Sequence, residues 1–226
     1  MNIVKPYAKI LPLPFKAVFE QSSGIELLQL VESYGRVSHR SEDKQNENSW
    51  DRFIRTVVLQ HGDWSITEHC SITVEALVDR GITHEWVRHR IGAYTQESTR
   101  FVNYSKGIPA SFIYPCTMGH VVESDNQDWM RSIEQAEESY QNMIKSGIPP
   151  QIARSVFPNA LASKLIVTYN LRNWRHFFLM RTSKEAHPQM KEVTIPLLEE
   201  FQAKIPILYE DIIPMSRQID NLKMGR

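Results

Sequence analysis

The chain has 226 residues, which is enough for one large domain with a substantial core or for two small domains. Its 26 lysines and arginines are balanced by 26 aspartates and glutamates, so no overall field favours nucleic acid or an anionic membrane. The two cysteines, Cys70 and Cys116, exclude a disulfide scaffold and a CxxC metal site, and we expect free buried thiols in a reducing compartment. No apolar run approaches a membrane span, and prolines interrupt the N-terminal segment where a signal peptide needs a continuous apolar stretch, so we expect a cytoplasmic protein.

The first elements are two predicted helices. The pattern from Ser23 to Glu26 is a capping box, and the helix that it opens is predicted to end near Gly35. Apolar residues between Trp50 and Val58 then recur at helical spacing, and Gly62 is typical of the residue just after a helix.

A strand and a short helix follow. Residues 71–78 alternate between apolar and polar side chains, which predicts a half-buried strand. Residues 81–87 are predicted to turn into a short helix that Gly92 terminates. Because residues 93–111 show little periodicity, we expect an ordered loop there.

The second half of the chain is predicted to be mainly helical. An apolar stripe predicts a helix over residues 129–143, and residues 161–169 read as a strand. Asn170 can cap the next helix, and Pro188 suits the first position of a last long helix. There is no βαβ alternation, no GxGxxG and no P-loop, so one α+β domain over residues 1–226 is expected, with a small mixed or antiparallel sheet flanked by helices.

The stretch from Arg88 to Arg100 concentrates cationic donors in a chain without net charge. Arg88, His89 and Arg90 have an ordinary explanation, because cations in the last turn of a helix interact favourably with its carbonyl end by about 0.3–1 kcal/mol each. The segment from Gln96 to Arg100 has little apolar content, and its hydroxyls, backbone N–H groups and guanidinium suit a phosphate. The stretch therefore favours an anion-binding site.

A second polar group lies on the helix predicted after Asn170. Arg172 and His176 share one face of that helix by their i,i+4 spacing, and a solvated face is the ordinary interpretation. Arg181, however, borders the apolar stripe and needs a partner, which a ligand can be. The apolar side contains Leu171, Trp174, Phe177 and Phe178. Aromatic residues interleaved with basic ones here also suit a nucleic-acid reader, against which the zero net charge argues.

His69 precedes the predicted strand, where a structural histidine is the ordinary interpretation. The chain has no HExxH motif and its eight histidines are scattered, so a zinc site is rejected. From the residues themselves, the alternatives are a soluble domain with basic helix ends, a nucleic-acid reader and a site for anionic ligands.

The spacing of Arg88-His89-Arg90 and Ser98 is the R-H-R-x7-S signature, and in it the chain resembles the flavin-dependent thymidylate synthases. Three further elements are similar to that family and occur in its order: residues 35–38, residues 61–69, and Asn170-Leu-Arg172 followed by Arg181. One short motif could arise by chance, but four in register over residues 35–185 are not expected to.

The resemblance implies an enzyme that makes thymidylate from dUMP. Methylenetetrahydrofolate gives the carbon, and NADPH reduces a bound FAD that delivers hydride. An α+β fold and a homotetramer with active sites shared between subunits are also implied. From the charge balance and the lack of a long apolar run, we expect neither nucleic acid nor a membrane as partner. The residues implied to bind FAD are Ser38, Ser71, Arg88, His89, Arg90, Gln96, Asn170, Arg172 and His176. The residues implied to contact the nucleotide are Glu85, Arg88, Gln96, Glu97, Ser98, Thr99, Arg100, Arg154 and Arg181.

The resemblance also implies individual roles. Arg181 would be catalytic, polarising the pyrimidine and favouring its ionised N3, and a preorganised cation can contribute a few kcal/mol in this way. His69 would lie near the flavin and assist the folate chemistry. Ser98 would bind dUMP, but we do not expect a nucleophile there because no base lies near it in sequence.

The chain departs from the family on the side of the pyrimidine. The family commonly has Ser, Asn and Glu at the positions of Ala93, Thr95 and Gln96, and often has Gln at the position of Glu85. Gln96 can still form hydrogen bonds, but it is neutral. Relatives that modify UMP or dCMP at C5 are therefore an alternative.

Overall fold

A computed structural model of the chain describes residues 1–11, 24–107, 109–115 and 125–214. The α-helices in these ranges are α1 (Ile25–Val37), α2 (Ser49–Phe53), α3 (Arg80–Trp86), α4 (Asp125–Lys145), α5 (Pro150–Ala153), α6 (Leu171–Arg181) and α7 (Pro188–Lys204). The strands are β1 (Asn2–Val4), β2 (Tyr7–Ile10), β3 (Ser71–Asp79), β4 (Ala93–Gln96), β5 (Ser111–Ile113) and β6 (Ala162–Asn170). Short 3-10 helices cover Glu42–Lys44, Trp64–His69 and Arg154–Val156, and a π-helix covers Ile54–Gln60. The fold is a mixed α+β fold, as predicted.

The strands form two small sheets. In one, β1 pairs with β5 in parallel, with Ile3 opposite Phe112. The other has the strand order β2-β3-β6-β4. The central strand β3 confirms the predicted alternation, because Ile72, Val74 and Ala76 are buried while their neighbours are more exposed.

The prediction of an ordered loop over residues 93–111 is wrong at Ala93–Gln96, which forms the edge strand β4. Its side chains alternate between exposed and half-buried, so the strand has no buried apolar face that a sequence pattern could reveal. Hydrogen bonding to β6 stabilises the strand conformation here, although the local sequence does not favour it. The contact continues beyond the strand, where the Glu97 N–H donates to the Lys164 carbonyl at 2.8 Å.

The chain groups into two compact units. Unit 1 comprises Met1–Tyr7, Glu75–Arg90 and Tyr94–Ile166, and unit 2 comprises Ala8–Val74, Ile91–Ala93 and Val167–Arg226. The core of unit 1 is a cluster of buried residues, Tyr104, Ala110, Phe112, Ile133, Tyr140, Ala153 and Leu161. Unit 2 contains a buried aromatic cluster, Tyr169, Trp174, Phe177, Phe178, Phe201 and Tyr209, with ring centroids 4.6–5.9 Å apart.

Helix α1 extends two residues past the predicted end at Gly35. A Cβ on Gly35 would lie 2.6 Å from the Phe53 Cζ, so this glycine permits close packing of α1 against α2 rather than ending the helix. Gly24 occupies the N-cap position, and Ser23 of the predicted capping box lies outside the described residues.

The later helices agree closely with the sequence pattern. Helix α4 ends at Lys145, shortly before Gly147, whose φ is +85°. The Asn170 side chain caps α6, and Pro188 is the first residue of α7. The predicted helix around Trp50–Val58 is also present, although its second half is the π-helix.

Cys70 is free and buried, and burial raises the pKa of its thiol to about 11. The thiol is therefore protonated near neutral pH and is a poor nucleophile. Cys116 lies outside the described residues. Within the described ranges, no group of three or more His, Cys, Asp or Glu side chains could hold a metal ion, and no helix is long and apolar enough to cross a membrane.

Candidate active site

Helix α6 in unit 2 has a polar face opposite a buried aromatic side. The Asn170 Oδ1 accepts a hydrogen bond from the Asn173 N–H at 2.8 Å, and the Trp174 Nε1 donates to the Ile72 carbonyl at 3.0 Å. Arg172 and His176 are both exposed, whereas the apolar side is buried, as the helical spacing predicts. The Asn170 cap and the buried Trp174 fix the start and the axis of the helix, and these in turn fix the positions of its polar residues.

The helix also carries Arg181, its last residue, with a half-buried side chain. Its backbone carbonyl accepts a hydrogen bond from the Thr194 Oγ1 at 2.9 Å, which joins the end of α6 to α7. A partly buried guanidinium interacts more strongly with an anion than a fully solvated one, because water screens it less.

Three elements of unit 2 bring other predicted flavin residues together. An Arg172 guanidinium nitrogen lies 2.6 Å from the Glu68 Oε1, so α6 contacts the 3-10 helix that ends at His69. The His69 ring in turn meets the Tyr34 ring of α1 edge-on, with centroids 5.4 Å apart. One turn after Tyr34, Ser38 ends α1 and its hydroxyl donates to the Gly35 carbonyl at 2.9 Å. Ser38, His69 and Arg172 therefore lie on contacting elements.

Ser71, also predicted to bind the flavin, is the exposed first residue of β3. It follows the 3-10 helix of His69 directly, with Cys70 between them. The Cys70 carbonyl accepts a hydrogen bond from the Leu171 N–H at 3.0 Å, which ties the start of β3 to the start of α6.

The arginine motif lies in irregular backbone just after α3 in unit 1. Helix α3 ends at Trp86, and Arg88 and Arg90 are exposed while His89 is half-buried. The Tyr94 hydroxyl of β4 donates to the His89 carbonyl, which closes this turn. The half-buried Glu85 belongs to the last turn of α3.

The backbone after the motif is strained. Ile91 has φ +64°, a conformation that a β-branched residue rarely adopts and that costs of order 1–3 kcal/mol. In unit 2, the Asn173 Nδ2 donates to the Ile91 carbonyl at 2.6 Å. A Cβ on Gly92 would lie 2.3 Å from the Tyr169 Cε1, so Gly92 is a packing position and not the predicted helix terminator.

The side-chain amide of Gln96 is held by two buried hydroxyl groups of unit 1. Its Nε2 donates to the Thr83 Oγ1 at 3.0 Å and to the Ser163 Oγ at 3.1 Å. Thr83 and Ser163 are buried, with 0% and 1% of their surface exposed, whereas Gln96 is half-buried. These two hydroxyls fix the amide, and the sequence did not single them out because buried Thr and Ser are common in ordinary cores.

Arg154 contacts the segment Gln96–Arg100 in unit 1. Its guanidinium donates to the buried Thr99 Oγ1 at 2.8 Å and to the Gln151 carbonyl at 3.2 Å. The Arg100 Nε donates to the Gln151 Oε1 at 3.2 Å. The guanidiniums of Arg154 and Arg100 are thus both held by Gln151, and that of Arg154 also by the Thr99 hydroxyl.

Glu97 and Ser98 have local structural contacts. The Glu97 carboxylate accepts a hydrogen bond from the Tyr104 hydroxyl at 2.8 Å. Burial, and to a smaller extent this hydrogen bond, raises the pKa of Tyr104, so the hydroxyl keeps its proton and remains a donor. The Ser98 Oγ accepts from the Arg100 N–H at 3.3 Å, and the Ser98 carbonyl accepts from the Val102 N–H at 2.9 Å. Ser98 therefore shapes the turn.

A cleft of about 410 Å³ opens beside Thr99 and Arg154. It is lined by Arg80, Thr99, Gln151, Arg154, Ser155, Phe157, Pro158, Asn159 and Leu161. Among these described lining residues there are two arginines and no acid, so the cleft is locally cationic. Arg80 and Gln151 are absent from the sequence-based site. An arginine that follows a strand is unremarkable in sequence, and only the folded cleft singles it out.

Another arginine of α6 has a structural position. Arg175 forms a two-pronged pair with Asp211, at 2.7 and 2.5 Å, and its guanidinium lies 4.7 Å from the centre of the Trp64 ring. It also donates to the Leu208 carbonyl at 2.8 Å. The hydrogen bond from Arg175 lowers the pKa of Asp211. Arg175 therefore ties α6 to the segment after α7.

The fold and the arrangement of these residues define a mixed α+β protein with two groups of arginine-bearing polar side chains. Residues 25–207 match the family model described as thymidylate synthase complementing protein. The chain belongs to this family, the flavin-dependent thymidylate synthases.

Individual relatives agree with this assignment. The flavin-dependent thymidylate synthase of Pyrococcus abyssi is 32% identical over 177 residues, covering 76% of this chain and 70% of its own length. That of Corynebacterium efficiens is 30% identical over 213 residues, covering 87% and 82%. Among solved structures, the crystal structure of the UMP/dUMP methylase PolB from Streptomyces cacaoi bound with 5-Br dUMP is similar with a TM-score of 0.72 and 25% identity. That likeness covers 93% of this chain and 96% of that one.

Proposed function

We propose that the chain catalyses the reductive methylation of dUMP to dTMP, with methylenetetrahydrofolate as the carbon donor and NADPH-reduced FAD as the hydride carrier. Family membership supports the reaction class. The similar structure named as a UMP/dUMP methylase and bound with 5-Br dUMP supports a pyrimidine nucleotide as substrate. The observation that carries the proposal is the cationic cleft in which Arg154 is fixed on Thr99 at 2.8 Å.

The residues implied to bind FAD fit a large phosphate-bearing cofactor. Ser38, Ser71 and His176 are exposed donors or acceptors on unit 2, and the Arg172 side chain is 52% exposed. Bound FAD supplies the hydride for the reduction. Arg172 pairs with Glu68 in the free chain, so an anionic group of the cofactor would compete with that carboxylate for the guanidinium.

The cap residue Asn170 has a different task. Its Oδ1 is engaged with the Asn173 N–H, so the side chain orients the start of α6 and leaves its Nδ2 as the group available to a cofactor. Asn173 extends the same arrangement, because its amide holds the Ile91 carbonyl one residue after the arginine motif. Arg88, His89, Arg90 and Gln96 complete the proposed cofactor set.

On the nucleotide side we place the phosphate in the cleft of Thr99 and Arg154. Arg80 is added as a further guanidinium, because it lines the same cleft. A phosphate monoester is a dianion near neutral pH, and two guanidiniums in a cleft whose described lining residues include no acid match its charge. Arg100 at the rim and Ser98 in the turn belong to the same proposed site, and Glu85, Gln96 and Glu97 are proposed to contact the same nucleotide.

Arg181 is proposed to stabilise the negative charge that develops on the pyrimidine when its C5 becomes nucleophilic. Its half-burial supports this role, because a preorganised cation in a partly desolvated position acts more strongly than one in water. His69, exposed at the end of its 3-10 helix, is proposed to assist the folate chemistry beside the flavin.

The exposure of these residues in one chain supports the proposed homotetramer with shared active sites. Ser38, His69, Arg88, Arg172 and His176 are all exposed, and a second subunit can enclose a cofactor that one chain leaves open. Light scattering of the purified protein should give the mass of four chains. A monomer that retains full activity would contradict the shared sites.

The first test of the reaction is flavin binding followed by turnover. The purified protein is expected to be yellow or to take up added FAD, and with NADPH and methylenetetrahydrofolate to release tritium from C5-labelled dUMP. A colourless protein that takes up no FAD would sink the flavoenzyme proposal.

The second candidate is a related enzyme that modifies UMP or dCMP at C5. The likeness to a UMP/dUMP methylase favours keeping UMP in the comparison. Tritium release from C5-labelled dUMP, UMP and dCMP distinguishes them. Release from UMP or dCMP alone would replace thymidylate synthesis by the second candidate.

A further inference from the structure

The amide of Gln96 has only one orientation that satisfies its buried partners. Thr83 lies in the first turn of α3, and its hydroxyl donates to the Arg80 carbonyl at 2.9 Å. A hydroxyl has one proton, so toward Gln96 the Thr83 oxygen can act only as an acceptor. The group that faces it at 3.0 Å must be the Gln96 NH₂, and the Ser163 oxygen lies 3.1 Å from the same nitrogen.

This arrangement leaves Gln96 with a single polar group for a ligand. Both protons of its NH₂ are directed at Thr83 and Ser163, so the remaining group is the carbonyl oxygen Oε1. A freely rotating glutamine can present a donor or an acceptor, but this one presents an acceptor. Because Thr83 and Ser163 are buried, an amide turned the other way would set its oxygen against the Thr83 lone pairs, which costs a buried hydrogen bond.

We propose that Thr83 and Ser163 are positioning residues that orient Gln96 so that its Oε1 accepts a hydrogen bond from the imide N–H of a bound ring. An imide N–H between two carbonyls occurs in uracil, at N3, and in the isoalloxazine ring of flavin, also at N3. The inference rests on the proposed function, which places both rings near Gln96. The two sources share one chemistry, and the experiment separates them.

The orientation has a consequence for substrate choice if the ring is the pyrimidine and is bound with its N3 protonated, rather than in the ionised form that the resemblance implies for Arg181. Uracil carries a proton at N3, whereas cytosine carries a lone pair there. Because Oε1 can only accept a hydrogen bond, it favours uracil nucleotides. At the N3 of cytosine, a lone pair of Oε1 would face the lone pair of the ring nitrogen, and the two repel each other. In that case dUMP and UMP bind better than dCMP, and the neutral Gln96 performs this selection without a charge.

The first part of the test uses the wild-type protein with altered ligands. Dissociation constants are measured for FAD and 3-methyl-FAD with the apoprotein, and for dUMP and N3-methyl-dUMP with the FAD-loaded protein. The ligand whose N3–H meets Gln96 should lose roughly 10-fold in affinity when methylated, the size expected for one hydrogen bond with its desolvation. The other pair should differ little. In Gln96→Ala, which removes the acceptor and leaves space, that discrimination should disappear.

The second part tests the positioning role. Thr83→Val keeps the shape of the side chain but removes the oxygen, and should reduce the discrimination between the methylated and parent ligand by roughly 3- to 10-fold. Thr83→Ser restores the hydroxyl and is expected to stay within about twofold of wild type. Ser163→Ala should act in the same direction as Thr83→Val. Thermal melting of each variant separates loss of fold from loss of orientation.

Different outcomes overturn different statements. If FAD and dUMP bind but neither methylated ligand is disfavoured, Oε1 accepts no imide N–H and the inference fails while the proposed function stands. Equal discrimination in Thr83→Val and Thr83→Ser would remove the positioning role. If neither FAD nor dUMP binds the wild-type protein, the proposed function fails, and the inference with it.

Discussion

Helix α6 and the stretch from Arg88 to Arg100 carry similar polar residues but are built in opposite ways. Helix α6 is a regular element with a side-chain cap and a buried aromatic side, so helical geometry sets the positions of its arginines. The stretch combines a turn, a left-handed Ile91 and a short edge strand. Its shape depends on partners far away in sequence, including Lys164.

The difference shows that an arginine's task is set by its partners rather than by its neighbours in sequence. On α6, the Arg175 side chain is 16% exposed and pairs with Asp211, while the Arg172 side chain three residues earlier is 52% exposed and pairs with Glu68, which is also exposed. Both occur in one short run of residues. Arg175 therefore has a structural role, whereas ligand binding by Arg172 stays a prediction.

The largest expected effect breaks the function of α6 and leaves its scaffold intact. Arg181→Ala should lower turnover of dUMP by roughly 100- to 1,000-fold, because a preorganised cation beside developing negative charge is lost. Steady-state rates with saturating FAD provide the measurement. Lys184→Ala is the matched control, an exposed cation three residues later that should stay near wild type. Near-normal turnover of Arg181→Ala would show that this arginine is not catalytic.

The next effect concerns the close packing of Gly92, the residue after the strained Ile91. Gly92→Ala places a Cβ 2.3 Å from a ring carbon of Tyr169, which is buried against Trp174 and cannot move aside. We expect the free energy of unfolding to fall by about 2–3 kcal/mol, as for other overpacked sites. Urea denaturation measures this loss.

Gly62→Ala provides the control for backbone conformation alone. Gly62 has φ +82° but open space around its Cα, so alanine there should cost only about 1 kcal/mol. A loss at Gly92 no larger than at Gly62 would mean that contact with Tyr169 does not limit the residue at this position.

The same contrast explains what the sequence could predict. The cap Asn170, the buried alternation of β3 and the stripe of α4 follow from local spacing, and the structure confirms them. Strand β4 and the packing of Gly92 depend on β6 and Tyr169, which no local pattern contains.

The candidate site divides along the same line. The family motif located the arginines because it records residue identities rather than periodicity. Arg80, Thr83 and Ser163 belong to none of the four family motifs, and only the folded cleft and the contacts of the Gln96 amide single them out. Long-range contacts, rather than composition, assign them their roles.

A third change tests the cleft of unit 1. Arg80→Gln should weaken dUMP binding by roughly 10-fold or more, because a guanidinium contact to phosphate is charge-assisted. Calorimetric titration with dUMP and with deoxyuridine separates phosphate from base, and only dUMP should lose affinity. Arg131→Gln on α4, with a side chain that is 73% exposed, is the matched control. An equal loss for the nucleoside would place Arg80 outside the phosphate site.

The smallest expected effect concerns the structural arginine of α6. Because the hydrogen bond from Arg175 lowers the pKa of Asp211 below its usual 3.8, the pair contributes stability above that value. The contribution is lost as the pH falls through the lower folded pKa, since the unfolded chain then binds the proton more readily. The Asp211 side chain is 61% exposed, so solvent screening limits the pair to at most about 1 kcal/mol.

Thermal melting of wild type and Asp211→Asn should therefore differ slightly at about pH 6 and converge toward about pH 3, where the wild-type carboxyl is increasingly protonated. Asp128→Asn on α4, which removes the partner of the exposed Arg131, serves as the control and should have little effect on the melting temperature at either pH. Equal melting temperatures of the two proteins at both pH values would assign the stabilisation to the Trp64 stacking and the Leu208 carbonyl instead of the carboxylate. In that case Arg175 would hold α6 through contacts that do not titrate, and the polar face of the helix would keep its geometry in acid.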